Sequence, residues 1–370
     1  MVSNEIIMAT KSKMQIKPRE LPALVMDILY KKGDVFLTLG KYDGVKGSLE
    51  SMRRVAKAFG DAKREGIAYN RLGTMCYLTG SYQEALAHLE KAYSLLLRAK
   101  EPRLLAHYWG NVGRVHRIQG RYEEALRCHK KSIDICRKLN DERAMANSYN
   151  MMGHTYWIMG KHDEALEYFR KALAICIEED YISGEAPCQN NLGLVYYEKH
   201  DLDRSEKHHK RALKLREMMG DLPGIAASYL NLGMVYHGRE AYGRAIDSWE
   251  QSLAICRRIG VRDIIAMCLT NIGEVYVIEK KYDRAIEVLQ ESLSIKLALG
   301  LGAYLPSSYN KLAWAYYWRY YEGGRKEKKD IKKALAYAKD DLKAAKKIGH
   351  PVKLKEAEKV LAKVKEEFGK

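Results

Sequence analysis

The sequence predicts an all-α array of stacked helical hairpins, and three observations carry that prediction. Glycines recur every forty residues, at Gly33, Gly73, Gly113, Gly153, Gly193, Gly233 and Gly273, with Ala313 completing the series. Around each glycine, apolar residues keep the spacing of one helical face, as Tyr149, Met152 and Tyr156 do around Gly153. Nine and twelve residues later an aromatic and a small residue return, as in Tyr82 with Ala85, Tyr122 with Ala125 and Tyr242 with Ala245. Units repeated in register bury their apolar faces against one another rather than in separate cores.

Each unit reads as two helices. The first contains the glycine, which costs about 1 kcal/mol against alanine in a helix interior. The expected compensation is close approach of a neighbouring helix, with the small residue twelve positions on as its counterpart. The first helix should stop near Gly40, Gly80, Gly120 and Gly160, where a left-handed residue is easiest for glycine. His200, Glu240, Lys280 and Tyr320 stand there in later units, which predicts a strained or differently shaped turn. The second helix, as in YEEALRCHKKSIDICRKL, should end near Gly60, Asn140, Gly220, Gly260 and Gly300, with Asp61, Asp141 and Asp221 as N-caps of the following helices. Pro22, Pro102 and Pro223 sit where first helices begin. Pro187 and Pro306 fall later, so these two helices are expected to begin late.

In the eighth unit, Ala334 and Gly349 align with the small residue and the stop only if nine residues are inserted, within EGGRKEKKD. After Pro351, VKLKEAEKVLAKVKEEFGK reads as an amphipathic cap covering the last stacking face. The expected organisation is therefore an extension over 1–19, eight repeats over 20–349 with an insertion near 321–329, and a basic capping helix over 350–370.

Composition narrows the function. Among 370 residues, 47% are hydrophobic and 30% charged, and no apolar run approaches the roughly eighteen residues of a membrane span. The polar, lysine-bearing start MVSNEIIMATKSKMQIKPREL does not read as a secretory signal. Seven cysteines form no C-x-x-C pair, and Cys136, Cys176 and Cys256 share one phase of the repeat, which suits buried free thiols in a reducing cytoplasm. The net charge is +17, and Arg325–Lys370 carries 16 Lys/Arg against 8 Asp/Glu, interleaved with apolar residues at helical spacing. A solvated cap is favoured there over a nucleic-acid surface. No phosphate loop, H-E-x-x-H or nucleophile elbow is present. His208 and His209 lie on different helical azimuths, so a packing role for His209 is favoured over a metal site.

The residues Leu/Ile-Gly-x-x-Tyr in the first helix and Tyr-x-x-Ala in the second make the chain resemble the tetratricopeptide-repeat (TPR) family. The resemblance covers roughly residues 20–349, and the forty-residue unit is similar to the long repeats of kinesin light chains and cell-polarity adaptors. It implies a right-handed superhelical solenoid whose concave groove binds peptides or proteins; in the absence of the motifs sought above, no catalysis, cofactor or metal is expected. The expected reading is thus a cytoplasmic binding scaffold or adaptor. A peptide- or small-molecule-sensing regulatory module is the alternative, and nucleic-acid binding through the basic carboxyl end is less favoured.

With the glycine face in the core, the opposite side of each first helix should line the groove. It is rich in asparagine, and an amide can pair with both the N–H and the C=O of an extended peptide. Asn111, Asn191, Asn231 and Asn271 match the position that does this work in kinesin light chains, and Asn150 lies beside them. Arg71, Arg114, Arg117 and His154 join them in the early repeats. This balance predicts an acidic peptide or a chain-terminal carboxylate as ligand. Thr74, Arg114 and His154 occupy the place of the asparagine that a chaperone-type carboxylate clamp requires, so that specific clamp is not expected. Tyr77, Trp157, Tyr197, Tyr317 and Trp318 are expected as apolar anchors.

Overall fold

A computed structural model describes residues 20–38, 41–324 and 327–369. The expected extension over 1–19 and the stop at Gly40 lie outside these residues. Among the described residues there are seventeen α-helices, a 3-10 turn at Gly302–Tyr304, and no strand.

The chain divides into two compact units between Gly184 and Glu185. In the first, the helices are α1 (Leu21–Thr38), α2 (Tyr42–Ala58), α3 (Ala62–Leu78), α4 (Tyr82–Arg98), α5 (Pro102–Ile118), α6 (Tyr122–Lys138), α7 (Glu142–Ile158) and α8 (His162–Glu178). Helix α9 (Ile182–Glu198) spans the division. The second unit continues with α10 (Leu202–Met219), α11 (Leu222–Gly238), α12 (Tyr242–Ile259), α13 (Arg262–Ile278), α14 (Tyr282–Ala298), α15 (Leu305–Glu322), α16 (Lys328–Ile348) and α17 (Pro351–Phe368). In both units each first helix packs on its own second helix and on the second helix before it. First helices of successive repeats also touch, α3 with α5 and α5 with α7 in one unit, α11 with α13 and α13 with α15 in the other.

Local chemistry explains the punctuation. The carboxylates of Asp61, Asp141 and Asp221 accept from the backbone N–H of Arg64, Ala144 and Gly224, satisfying donors that a helix start leaves orphaned. Gly220 and Gly260 close α10 and α12 with φ of 66° and 76°, whereas His200, Glu240 and Lys280 hold φ of 58–59° with a side chain attached. Those are the strained turns that the missing glycines foretold. Tyr320 makes no turn at all, because α15 runs through it to Glu322 and buries its ring.

Two expectations are corrected. The glycine's close partner is the large residue sixteen positions on, not chiefly the small one at twelve. A β-carbon on Gly153 would stand 2.7 Å from the Phe169 ring, and one on Gly73 would stand 2.7 Å from Leu89. The absent side chain is the socket for the second helix's bulkiest group. Secondly, Pro187 does not delay its helix: α9 starts at Ile182 and carries the proline inside it. The proline falls in the second turn, where it removes one backbone donor and leaves the Ser183 carbonyl, four residues upstream, without its intrahelical partner. Pro306 does coincide with a late start, because the Gly302–Tyr304 turn precedes α15.

The apolar face of each repeat becomes continuous core, including Leu72, Leu89, Leu96 and Val112 in the first unit and Leu232, Trp249, Leu253 and Ile272 in the second. Each fully buried side chain of this kind contributes about 1.5–3 kcal/mol relative to exposure. In α17, Val360 and Val364 cover Leu312, Tyr316 and Tyr317. All seven cysteines are buried. Among the described residues no helix is long and apolar enough to cross a membrane.

Candidate functional site

The nine polar residues expected at the groove all lie on first helices and all are partly buried. In the first unit, one tyrosine organises the cations. Arg114 of α5 lies over the Tyr77 ring of α3, its guanidinium carbon 4.4 Å from the centroid. Arg117, one turn further along α5, donates to the Tyr77 hydroxyl at 3.4 Å and meets His154 Nδ1 of α7 at 3.1 Å. His154 in turn sits edge-on to Trp157, the centroids 5.1 Å apart.

Burial, then the neighbouring Arg117 and Arg114, brings the His154 imidazole down to about 4, so it is neutral near pH 7. A neutral ring accepts at Nδ1 from Arg117 and keeps its proton on Nε2. Arg117 is itself held below the usual guanidinium range, first by burial and also by Arg114. Among the described residues, no carboxylate is within ion-pair distance of Arg114 or Arg117. Two guanidiniums on one helix, both partly buried and without a carboxylate partner, have the chemistry to donate charge-assisted hydrogen bonds to an anion.

Arg71 does not join this cluster. It is tied to Asp34 at 2.6 Å and lies 4.4 Å over Tyr30, to whose hydroxyl it also donates. The asparagines form rungs between repeats. Asn111 Nδ2 donates to Asn70 Oδ1 at 3.1 Å, and in the second unit Asn231 Nδ2 donates to Asn190 Oδ1 at 2.9 Å. In each rung the donating amide keeps a second N–H and its carbonyl oxygen beyond the rung bond. A cavity of about 170 Å³ beside the first rung is lined by His107, Asn111, Asn147 and Asn150. Asn191 and Asn271 stand on the same face in the second unit, both partly buried. Among the expected apolar anchors, Tyr77 and Trp157 belong to the cation cluster, whereas Tyr317 is 2% exposed beneath the cap and cannot reach a partner.

Sequence reasoning missed two cations, Arg216 and Lys296. They share the repeat phase of Cys136, Cys176 and Cys256, and a charge at that buried phase is the signal that could have found them. Arg216 Nη1 donates to Ser228 Oγ at 2.7 Å, Gly224 O at 3.0 Å and Asn190 Oδ1 at 3.5 Å, at the foot of the second amide rung. Lys296 Nζ reaches Thr270 Oγ1 at 2.7 Å and Ser308 Oγ at 2.8 Å. Burial, with Lys311 nearby, brings it down to about 8. His209 is a packing residue: it is 1% exposed against Gly193, and burial brings it down to about 3. Among the described residues no His/Cys/Asp/Glu group is arranged to hold a metal.

A family profile described as tetratricopeptide repeat matches residues 104–178, 185–258 and 224–298, and a second of the same description matches 30–103. No curated protein matches the chain. Solved structures do. A signal-transduction ATPase with numerous domains and a tetratricopeptide-repeat sensor, from Pyrococcus horikoshii, is 16% identical, with a TM-score of 0.67 over 95% of this chain and 53% of that one. A Rap protein complexed with competence and sporulation factor is 15% identical, with a TM-score of 0.60 over 95% and 99%. The Rap conjugation gene regulator of plasmid pLS20, in complex with the Phr* peptide, is 16% identical, with a TM-score of 0.58 over 89% and 98%. At such identities the likeness is one of fold.

Proposed function

The chain belongs to the tetratricopeptide-repeat family, and we propose that it is a non-catalytic module binding an acidic or carboxylate-ended peptide along the first-helix face of its first unit. One observation carries this reading: Arg114 and Arg117 are positioned by Tyr77 and His154 and have no carboxylate partner. Asn111, bonded to Asn70 through one N–H, keeps a second N–H and its carbonyl oxygen, the donor and acceptor that an extended main chain needs. The two Rap structures, one complexed with competence and sporulation factor and the other with the Phr* peptide, support the same mode of use.

The test is selection of a random octapeptide library on the whole chain, followed by calorimetry with the selected peptides. Enrichment in Asp, Glu or a free carboxyl end is expected. Replacing Asn111 and Arg114 together by alanine should weaken binding roughly ten- to hundredfold, the worth of charge-assisted contacts. Unchanged affinity in a folded double variant would reject the placement. A second reading, a regulatory sensor, is favoured by the sensor and regulator named among the structural neighbours. It requires small-angle scattering of the free and peptide-bound chain to differ.

A further inference from the structure

At the carboxyl end of the second unit, the first-helix face runs into a cavity of about 400 Å³, the size of a small-ligand site. Asn310, Lys311 and Trp314 of α15 form one wall, Asp341 of α16 the floor, and Glu356 and Lys359 of α17 the opposite wall. Asn310, Lys311 and Trp314 occupy the groove-lining positions around Ala313, so the cap helix closes that face into a pocket.

The pocket's charges are not balanced internally. Asp341 is 1% exposed; one carboxyl oxygen accepts from Asn310 Nδ2 at 3.0 Å and the other has no partner among the described residues. The lysines that face it are largely committed elsewhere. Lys311 is bound to Glu274, and Lys353 donates to Ala303 O at 3.1 Å, which leaves Lys359 at the rim. Glu356 makes no ion pair among the described residues. Burial pushes the Asp341 carboxyl up to about 6, with the Asn310 bond opposing and Glu356 adding to it. A buried carboxyl with an open oxygen, a second unpaired carboxylate and an indole wall together lack one cation.

We propose that this pocket binds a primary ammonium group, that of a small amine or of a peptide's amino terminus, between Asp341 and Glu356 and against Trp314. An ammonium offers three donors, enough for the open Asp341 oxygen and for Glu356 at once. Lys359 at the rim selects for a single positive charge and against polycations. The site stands independently of the anion cluster in the first unit; only its peptide source rests on the peptide-binding reading.

The experiment titrates the whole chain with phenethylamine and with neutral N-acetylphenethylamine at about pH 7, following the tryptophan indole resonances by NMR. Saturable binding of the amine is expected, with the acetylated probe weaker by roughly ten- to hundredfold. Asp341→Asn keeps an oxygen for Asn310 and should lose binding by a similar factor; Glu356→Gln, at an exposed position, should weaken it with the thermal midpoint unmoved. Binding should also weaken as pH falls below about 6, when a proton takes the ligand's place on Asp341. Tighter binding of the tripeptide amide Phe-Ala-Ala than of phenethylamine assigns the site to a peptide terminus, and weaker binding assigns it to a small amine. Equal binding of the acetylated probe, no binding of any probe, or undiminished binding in Glu356→Gln and Asp341→Asn would overturn the proposal.

Discussion

The indole of Trp249 fills the space that a β-carbon on Gly233 would need, and its Nε1–H donates to Leu230 O at 3.1 Å. The glycine of a first helix is thus the socket for the bulkiest side chain of its own second helix. His129, Phe169, His209 and Leu289 stand in the same relation to their glycines. The apolar area buried there offsets the helix propensity lost at each glycine.

Gly153→Ala should therefore destabilise the chain. Phe169 is fully buried and has nowhere to retreat, so overpacking of about 1–3 kcal/mol exceeds the gain in propensity. Gly243→Ala, with nothing within 4 Å of its β-carbon, should instead be neutral or slightly stabilising. Thermal unfolding followed by circular dichroism separates the two. A Gly153→Ala variant as stable as the parent would refute the socket.

His129 is a source of acid sensitivity. It is fully buried with neither ring nitrogen hydrogen-bonded, and burial brings it down to about 3. Between the unfolded value near 6.5 and that folded value, the unfolded chain binds the extra proton, so stability falls as pH drops through this window. His129→Phe, the residue its counterpart Phe169 already is, should flatten that fall. At about pH 5 the difference should approach roughly 2 kcal/mol. Denaturant midpoints at several pH values measure it, and parallel curves for the two proteins would refute it.

The Arg117–His154 contact has a spectroscopic consequence. Burial is the largest cause of the His154 depression and Arg117 the next. Arg117→Leu should move the His154 titration upward from about 4, though not to the ordinary histidine value. An NMR titration in which His154 does not move would separate Arg117 from the cluster.

A structural ion pair joins α15 to α16. Arg319 donates to both oxygens of Asp330, at 2.8 and 2.7 Å, and Asp330 is 1% exposed. Asp330→Ala would leave a guanidinium half-buried with only the exposed Asp283 as partner, at a cost of about 3–5 kcal/mol. Hydrogen exchange should quicken in α15 and α16 before it does elsewhere. Exchange unchanged in these helices would show that the pair is dispensable.

The repeat period by itself determined the helical hairpins, the phase of their buried faces and most helix ends, because helical spacing, capping and left-handed stops are decided within a few residues of chain. The face bearing Arg114, Arg117, His154 and the asparagines was legible for the same reason: in a helix of known phase, what is not core is surface. Which of those groups remain available was decided only by packing between repeats. Asp34 satisfies Arg71 from 37 residues upstream, whereas no carboxylate reaches Arg114. The partner of each mid-helix glycine, the buried cations Arg216 and Lys296, and the open oxygen of Asp341 were likewise set by distances between neighbouring helices. A local periodicity ranks positions as inward or outward, but charge balance depends on what the adjacent hairpin brings within hydrogen-bond reach.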